Sequence, residues 1–384
     1  MSVGQLDPPA GAAGTRPEAG AARHLYVHLP FCAHRCGYCD FVTAVGRLDD
    51  HGAYVDALLA ELDAERWRLA ANVESAFLGG GTPTFTEPEA LERVLCALPE
   101  VEELTVEANP ETVTPALASL LLGHGVNRVS LGAQSFRRRL LEVLERVAGP
   151  DDVRRAVHAF RDAGLDNISL DLVYGIPGQS PADLDADLAD ALALEPEHLS
   201  CYELEAKPGT RFTHTHGEEL DRQAEAMEGY FEQVVETLTG AGYRWYETAN
   251  FCLDDGRDLR AQHNLAIWHG HDYLGVGIGA VSTLGGERRR NLPSLGRYVG
   301  ALRAGDAPPR EIEALSTATR AVETLMLGLR LDEPLGLDGL EAVVDRASLA
   351  RLVERRLVER VGRAIRLTPR GRLLGGAVTA ELLA

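Results

Sequence analysis

Three cysteines within eight residues carry the plainest chemical signal in this chain. Cys32, Cys36 and Cys39 stand at C-x3-C-x2-C spacing in the run HLPFCAHRCGYC (28–39), directly after a run that reads as a strand. Three thiolates can ligate three irons of a [4Fe–4S] cubane and leave the fourth iron open. An open iron can chelate the amino and carboxylate groups of S-adenosylmethionine, so that an electron from the cluster reaches the sulfonium and releases a 5′-deoxyadenosyl radical. The competing reading is a zinc site completed by His28 or His34, because Cys3His is an ordinary zinc set. Zinc motifs usually add a second cysteine pair further along, and none is present. The other cysteines, Cys96, Cys201 and Cys252, are scattered and read as small hydrophobic residues.

A second group of residues has the chemistry to hold a ligand. The run FLGGGTPT (77–84) follows a short apolar stretch and precedes a helical one, a setting in which glycines let a backbone approach a ligand closely. It lacks the Gly-Lys-Ser/Thr ending of a phosphate-binding loop. Polar side chains then recur at expected strand ends: Glu107 in TVEANP, Gln134 in LGAQSF and Asp171 in SLDLVYGIPGQ. A carboxylate buried at such a place is costly unless it meets a partner, and a solvated strand end is the plainer alternative.

Those residues need a frame. HLYVHL (24–29), ESAFL (74–78), ELTVEA (103–108), VNRVSLG (126–132), DNISLDLVYG (166–175) and EHLSCYEL (197–204) read as strands. Amphipathic stretches separate them, among them YVDALLAELDAERWRLA (54–70), PEALERVLCAL (88–98) and LDADLADALAL (184–194). Such alternation predicts βαβ units around a parallel sheet, closed fully or partly into a barrel with ligands at the strands' C-terminal ends. Residues 1–22, rich in Ala, Gly and Pro without an apolar period, read as a disordered tail. Residues 206–310, with a long helix from Asp221 to Leu238 and a strand-like YRWYETA, are expected to complete the barrel. Residues 311–384 read as TATRAVETLMLGLRL, LDGLEAVV and SLARLVERRL helices followed by a short hairpin and a helix, a winged-helix-like pattern suited to protein or domain contacts.

Bulk properties narrow the function. At 384 residues, 45% hydrophobic and 25% charged, the chain is globular, and its formal net charge of −20 argues against nucleic acid as a partner. No apolar run approaches the roughly 18 residues of a membrane span, and residues 1–22 lack the apolar centre of a secretory signal. A cytoplasmic location is expected, with peripheral membrane contact left open.

The cysteine triad in the setting LYVHLPFC resembles the radical S-adenosylmethionine proteins and, within them, the oxygen-independent coproporphyrinogen oxidase group. That resemblance implies an α/β fold over 23–205, a partial (β/α) barrel, with a C-terminal, mainly helical winged-helix-like domain. It implies a [4Fe–4S] cluster on Cys32, Cys36 and Cys39. It makes Gly80, Gly81, Thr82, Glu107, Gln134 and Asp171 contacts of S-adenosylmethionine, and Arg146 the partner of its carboxylate. Tyr26 and Tyr38 match positions beside the cluster and the adenine, with aromatic core packing as the alternative. The group's oxidases carry a further cysteine where this chain has Phe41, and a longer N-terminal segment. Both differences favour the group's haem chaperones, which carry an H-N-x-x-Y-W haem motif. This chain has HNLAIW (263–268), keeping His263 and Trp268 with Ile267 in place of Tyr, and Val281 where relatives have a His. The resemblance thus implies haem bound at His263, in the 206–310 region, and passed to acceptor haem proteins, respiratory ones among them. The alternatives are an oxidative decarboxylase acting on coproporphyrinogen, and a non-catalytic iron–sulfur interaction module.

Overall fold

A computed structural model describes residues 21–207 and 211–383. The disorder expected for 1–22 lies outside the described residues as far as residue 20. Ala22, however, is buried and bridges Leu69, so order begins slightly before the expected boundary.

Seven parallel strands form the centre of a twelve-stranded sheet: His24–Leu29, Ser75–Gly80, Glu103–Ala108, Arg128–Gln134, Ile168–Tyr174 and His198–Glu203 in that spatial order, with Tyr273–Val276 added beside the first. Antiparallel strands extend both edges. Val281–Leu284, Glu287–Asn291 and Arg310–Ala314 lie on one side, and Asn250–Leu253 and Tyr243–Trp245 on the other. The order does not return on itself, so the barrel is partial.

Alternation along each strand decides what faces where. Leu25, Val27 and Leu29, then Ala76 and Leu78, then Leu104 and Val106, belong to the main hydrophobic core with the covering helices. The opposite parity is polar and faces inward. Register aligns its members in rows: His24 beside Ser75 and Ser75 beside Glu103, Thr105 beside Arg128, Glu107 beside Ser130, and Ser169 beside His198. A helix, Gln262–Trp268, joins this polar interior. The backbone N–H groups of Gln262 and His263 donate to the two Glu103 oxygens at 2.9 and 3.0 Å, which places a carboxylate at the positive end of the helix.

The barrel's later part is fastened by Glu61, on the helix His51–Glu65. Its buried carboxylate accepts from the Gly277 N–H, Asn291 Nδ2, Tyr298 Oη and Arg310 Nη2. The long helix expected from Asp221 to Leu238 runs from Arg211 to Gly240.

The C-terminal part has its own core, built on Leu325, Leu349, Ile365 and Leu382. It comprises the helices Thr317–Gly328 and Arg346–Glu354, a three-stranded sheet including the hairpin Val358–Val361 and Ala364–Leu367, and two closing helices, Pro369–Leu373 and Gly375–Leu382. One expectation is corrected. Residues 337–344 form turns instead of a helix, because Gly339 takes φ +84°, a conformation that interrupts helical progression.

Candidate functional site

The C-terminal ends of the parallel strands open into a cavity of about 930 Å³. Cys32, Cys36 and Cys39 lie on its rim, in the segment that leaves the first strand, and all three are free thiols. Burial pushes the Cys32 and Cys39 thiols above their ordinary range, so their thiolates gain from a cation bound among them. Two positions of the zinc alternative are already occupied. His28 Nε2 bonds the Val42 carbonyl at 2.8 Å while its Nδ1 meets Tyr26 Oη at 3.1 Å, and His34 Nε2 is turned to the Glu145 carbonyl. Among the described residues, no three His, Cys, Asp or Glu side chains converge tightly enough for a single ion. A donor set of three thiols without a histidine, spread around an open cavity, fits a multi-iron cluster better than mononuclear zinc.

The glycine run ends the second strand beneath the cysteines. A Cβ on Gly80, at φ +112°, would lie 2.4 Å from the His28 ring, and one on Gly81 would lie 2.5 Å from the Pro30 carbonyl oxygen. Only glycine allows the two segments to approach this closely. Thr82 follows, with Oγ1 3.6 Å from Cys32 Sγ and accepting from Asn109 Nδ2 at 2.9 Å. Asn109 in turn accepts from Arg146 Nη2 at 2.9 Å; the same Nη2 donates to the Gly132 carbonyl, and Nη1 lies 3.6 Å from Cys36 Sγ. Asn109 was not singled out in the sequence, although it stands only two residues beyond Glu107.

Two carboxyls lie deeper. Glu107 accepts from the Gly80 N–H at 3.0 Å, and burial, with the nearby Asp171 charge adding to it, lifts its pKa to about 7. Asp171 takes the Ser130 hydroxyl at 2.9 and 3.0 Å and is lifted by burial to about 6. Gln134 sits at a bulge where pairing with the neighbouring strand shifts, at φ +64°, a left-handed conformation costing a non-glycine residue about 1–2 kcal/mol. Strain of this kind recurs at ligand sites.

Tyr38, Gly80, Gly81, Thr82, Glu107, Gln134, Arg146 and Asp171 all line the one cavity with the three cysteines. Tyr26 and His263 do not. Tyr26 packs on Phe77, and burial raises its phenol pKa. His263 lies behind the same Phe77, with ring centroids 5.4 Å apart, and its Nδ1 meets Ser75 Oγ at 3.0 Å near the N-terminal ends of the strands. It is 2% exposed, and burial lowers its pKa to about 3. Its neighbour Asn264 does line the cavity, as does Phe41, which is exposed at 65%.

Residues 26–191 match the radical SAM superfamily, and residues 315–374 match the HemN C-terminal domain. The heme chaperone HemW of Bacillus subtilis is 33% identical over 383 residues, covering 94% of this chain and 99% of that protein. The chain belongs to the HemW family. The HemW of Mycobacterium tuberculosis is 32% identical, covering 96% of this chain and 97% of its own length. The HemW of Escherichia coli is 37% identical over 67% of this chain and 68% of its own. Among solved structures, the coproporphyrinogen III oxidase HemN of Escherichia coli superposes with a TM-score of 0.80 over 95% of this chain and 91% of that one, at 23% identity, a likeness of fold. The radical SAM domain is a fold that implies a [4Fe–4S] cluster and S-adenosylmethionine. Residues of both matched domains line the cavity.

Proposed function

We propose that this protein is a haem chaperone: it binds haem and transfers it to acceptor haem proteins, with a [4Fe–4S] cluster on Cys32, Cys36 and Cys39 and S-adenosylmethionine at the open iron. The likeness to HemW proteins along almost the whole chain carries the reading. Phe41, where the oxidases of the group have a further cysteine, stands with it. The protein's work is assigned to the cytoplasm, a reducing compartment suited to six unpaired cysteines. Among the described residues, no helix is long and apolar enough to cross a membrane.

When bound, the cluster supplies one-electron chemistry and a coordination site. The chain's own residues bind and orient. Arg146, held by Asn109 and the Gly132 carbonyl, offers a guanidinium beside Cys36 to the cofactor's carboxylate. Glu107 fixes one oxygen on the Gly80 N–H and keeps the other for a cationic group. His263 would hold the haem iron and supply it an imidazole nitrogen: its Nε2 is buried without a hydrogen-bond partner, and its ring stacks on Phe77, which lines the cavity.

The test is anaerobic reconstitution followed by haem titration. Wild type is expected to show the broad visible absorption of a cluster, a Soret shift on haem addition, and release of haem to an apo-acceptor. Cys36→Ser should lose the cluster absorption, and His263→Ala should alter the Soret band. A wild-type protein that binds no haem, yet decarboxylates coproporphyrinogen with a reductant and S-adenosylmethionine, would overturn the chaperone reading.

A further inference from the structure

The strand Arg128–Gln134 points Arg128, Ser130 and Gly132 inward, and the cofactor end of the cavity accounts for only the last two. Arg128 is 2% exposed and lines the cavity, yet its Nε has no hydrogen-bond partner, and among the described residues its guanidinium forms no hydrogen bond or ion pair. A guanidinium remains charged at every working pH, and a buried charge without a partner is costly. The groups that feel this charge are Asp171, His198 and Tyr246. None is bonded to it. Asp171 takes serine hydroxyls, and the imidazole of His198 is occupied by Ser169 and Tyr246.

Arg372, from the C-terminal part, lines the same cavity. Its Nη1 donates to the Trp245 carbonyl at 2.6 Å and its guanidinium lies 3.6 Å over the Trp245 ring, while Nε and Nη2 are buried without partners. The charges that reach it are Asp332, Glu247 and Arg244. The cavity wall also carries Phe77, Met326, Leu329 and Leu373. Arg330, also on this wall, is already paired with Glu247.

We propose that the cavity contains a second subsite, away from the cysteines, for a flat apolar ligand bearing two separated carboxylates, with Arg128 and Arg372 each binding one. The proposal rests on the haem-chaperone reading, in which the ligand is haem and the carboxylates are its propionates. Cofactor carboxylate is an unsuitable occupant. Arg146 serves that group beside Gly132, and the backbone of residue 128 lies four residues, roughly 13 Å, further down the strand. Because Arg372 and Met326 belong to the C-terminal part, a ligand held here bridges both parts of the chain.

The experiment titrates haem, haem dimethyl ester, metal-free protoporphyrin and S-adenosylmethionine into the reconstituted full chain. Wild type is expected to bind haem and protoporphyrin at least tenfold more tightly than the ester. Arg128→Gln and Arg372→Gln should each weaken haem and protoporphyrin tenfold or more, leaving ester and S-adenosylmethionine affinities unchanged. Arg128→Met should raise the melting temperature of the ligand-free protein while losing porphyrin affinity, because it removes an uncompensated buried charge. Variants that bind haem like wild type, lose S-adenosylmethionine instead, or melt far lower as Arg128→Met overturn the subsite. Arginine-dependent binding of protoporphyrin without binding of haem overturns the chaperone reading and leaves the subsite standing. If neither tetrapyrrole binds, both fall.

Discussion

Arg146 Nη1 lies 3.6 Å from Cys36 Sγ, joining the strand-end network of Asn109, Thr82 and Gly132 to the cysteine segment. The guanidinium is therefore fixed before any ligand arrives. Hydrogen bonds to charged groups contribute about 1.5–3 kcal/mol. Arg146→Gln is expected to weaken S-adenosylmethionine by roughly 10–150-fold, the same energy expressed as affinity. Anaerobic equilibrium dialysis measures it. Asn109→Ala should give a smaller loss, because it removes one orienting bond and leaves the charge.

Glu107 makes ligand affinity and stability depend on pH in opposite senses. Its pKa rises from an ordinary 4.5 to about 7. Between those values the unfolded chain releases a proton that the folded protein keeps, so stability falls as pH rises through this window, by on the order of 3 kcal/mol. Asp171 and His263 also shift within this range and act on wild type and variant alike, so the Glu107 part is read as a difference: from pH 4.5 to 8 the stability of wild type relative to Glu107→Gln should fall by that amount. A cationic ligand, by contrast, needs the carboxylate. S-adenosylmethionine affinity should rise with pH through about 7 in wild type and stay flat in Glu107→Gln.

Much of this arrangement was legible because the strands carry two signals at once. Leu25, Val27 and Leu29 announce a buried face, and Glu107 and Asp171 on the opposite parity announce a ligand. The strand 103–108 is found where expected, whereas the one expected at 126–132 runs from Arg128 to Gln134, since Val126 is buried in the approach to it. Arg128 and Ser130 share the parity of Gly132, but a polar residue on a strand looks the same in sequence whether it meets water or a cavity. The bulge at Gln134 leaves no sequence trace, because nothing in a glutamine announces a positive φ. At 337–344, Leu337, Leu340, Val343 and Val344 gave a helical spacing, yet in the structure turns deliver these side chains to the C-terminal core. His263 was singled out by its motif. Its burial behind Phe77 depends on a contact between segments far apart in the chain, and no local pattern encodes it.

The glycine run makes a steric prediction. Gly80→Ala adds a methyl 2.4 Å from a His28 ring already bonded to Val42 and Tyr26, at a φ that alanine resists. The expected cost is about 2–4 kcal/mol, overpacking and left-handed strain together. Gly125→Ala is the control: its φ is +83° but no atom lies within 4 Å, so it should cost only about 1 kcal/mol. Urea unfolding of the two variants separates the steric part from the conformational part. Cluster content after reconstitution should fall only for Gly80→Ala, because only that change displaces the segment bearing Cys32.

Glu61 sets how firmly the later strands hold to the barrel. Its two oxygens take four donors, with Tyr298 Oη at 2.6 Å and the Gly277 N–H at 2.8 Å on Oε2, and Asn291 Nδ2 at 2.7 Å and Arg310 Nη2 at 3.1 Å on Oε1. Glu61→Ala leaves Arg310 without one of its buried partners and three further donors unmet, for an expected loss of about 3–5 kcal/mol. Glu61→Gln is the sharper variant. Its single carbonyl oxygen can serve Tyr298 and Gly277, but its amide then faces Asn291 and Arg310, donor against donor. Denaturant unfolding followed by far-UV circular dichroism should place it between wild type and Glu61→Ala. Equal stabilities for the two variants would mean that the Oε1 side, the contact to Asn291 and Arg310, carries nearly all of the attachment.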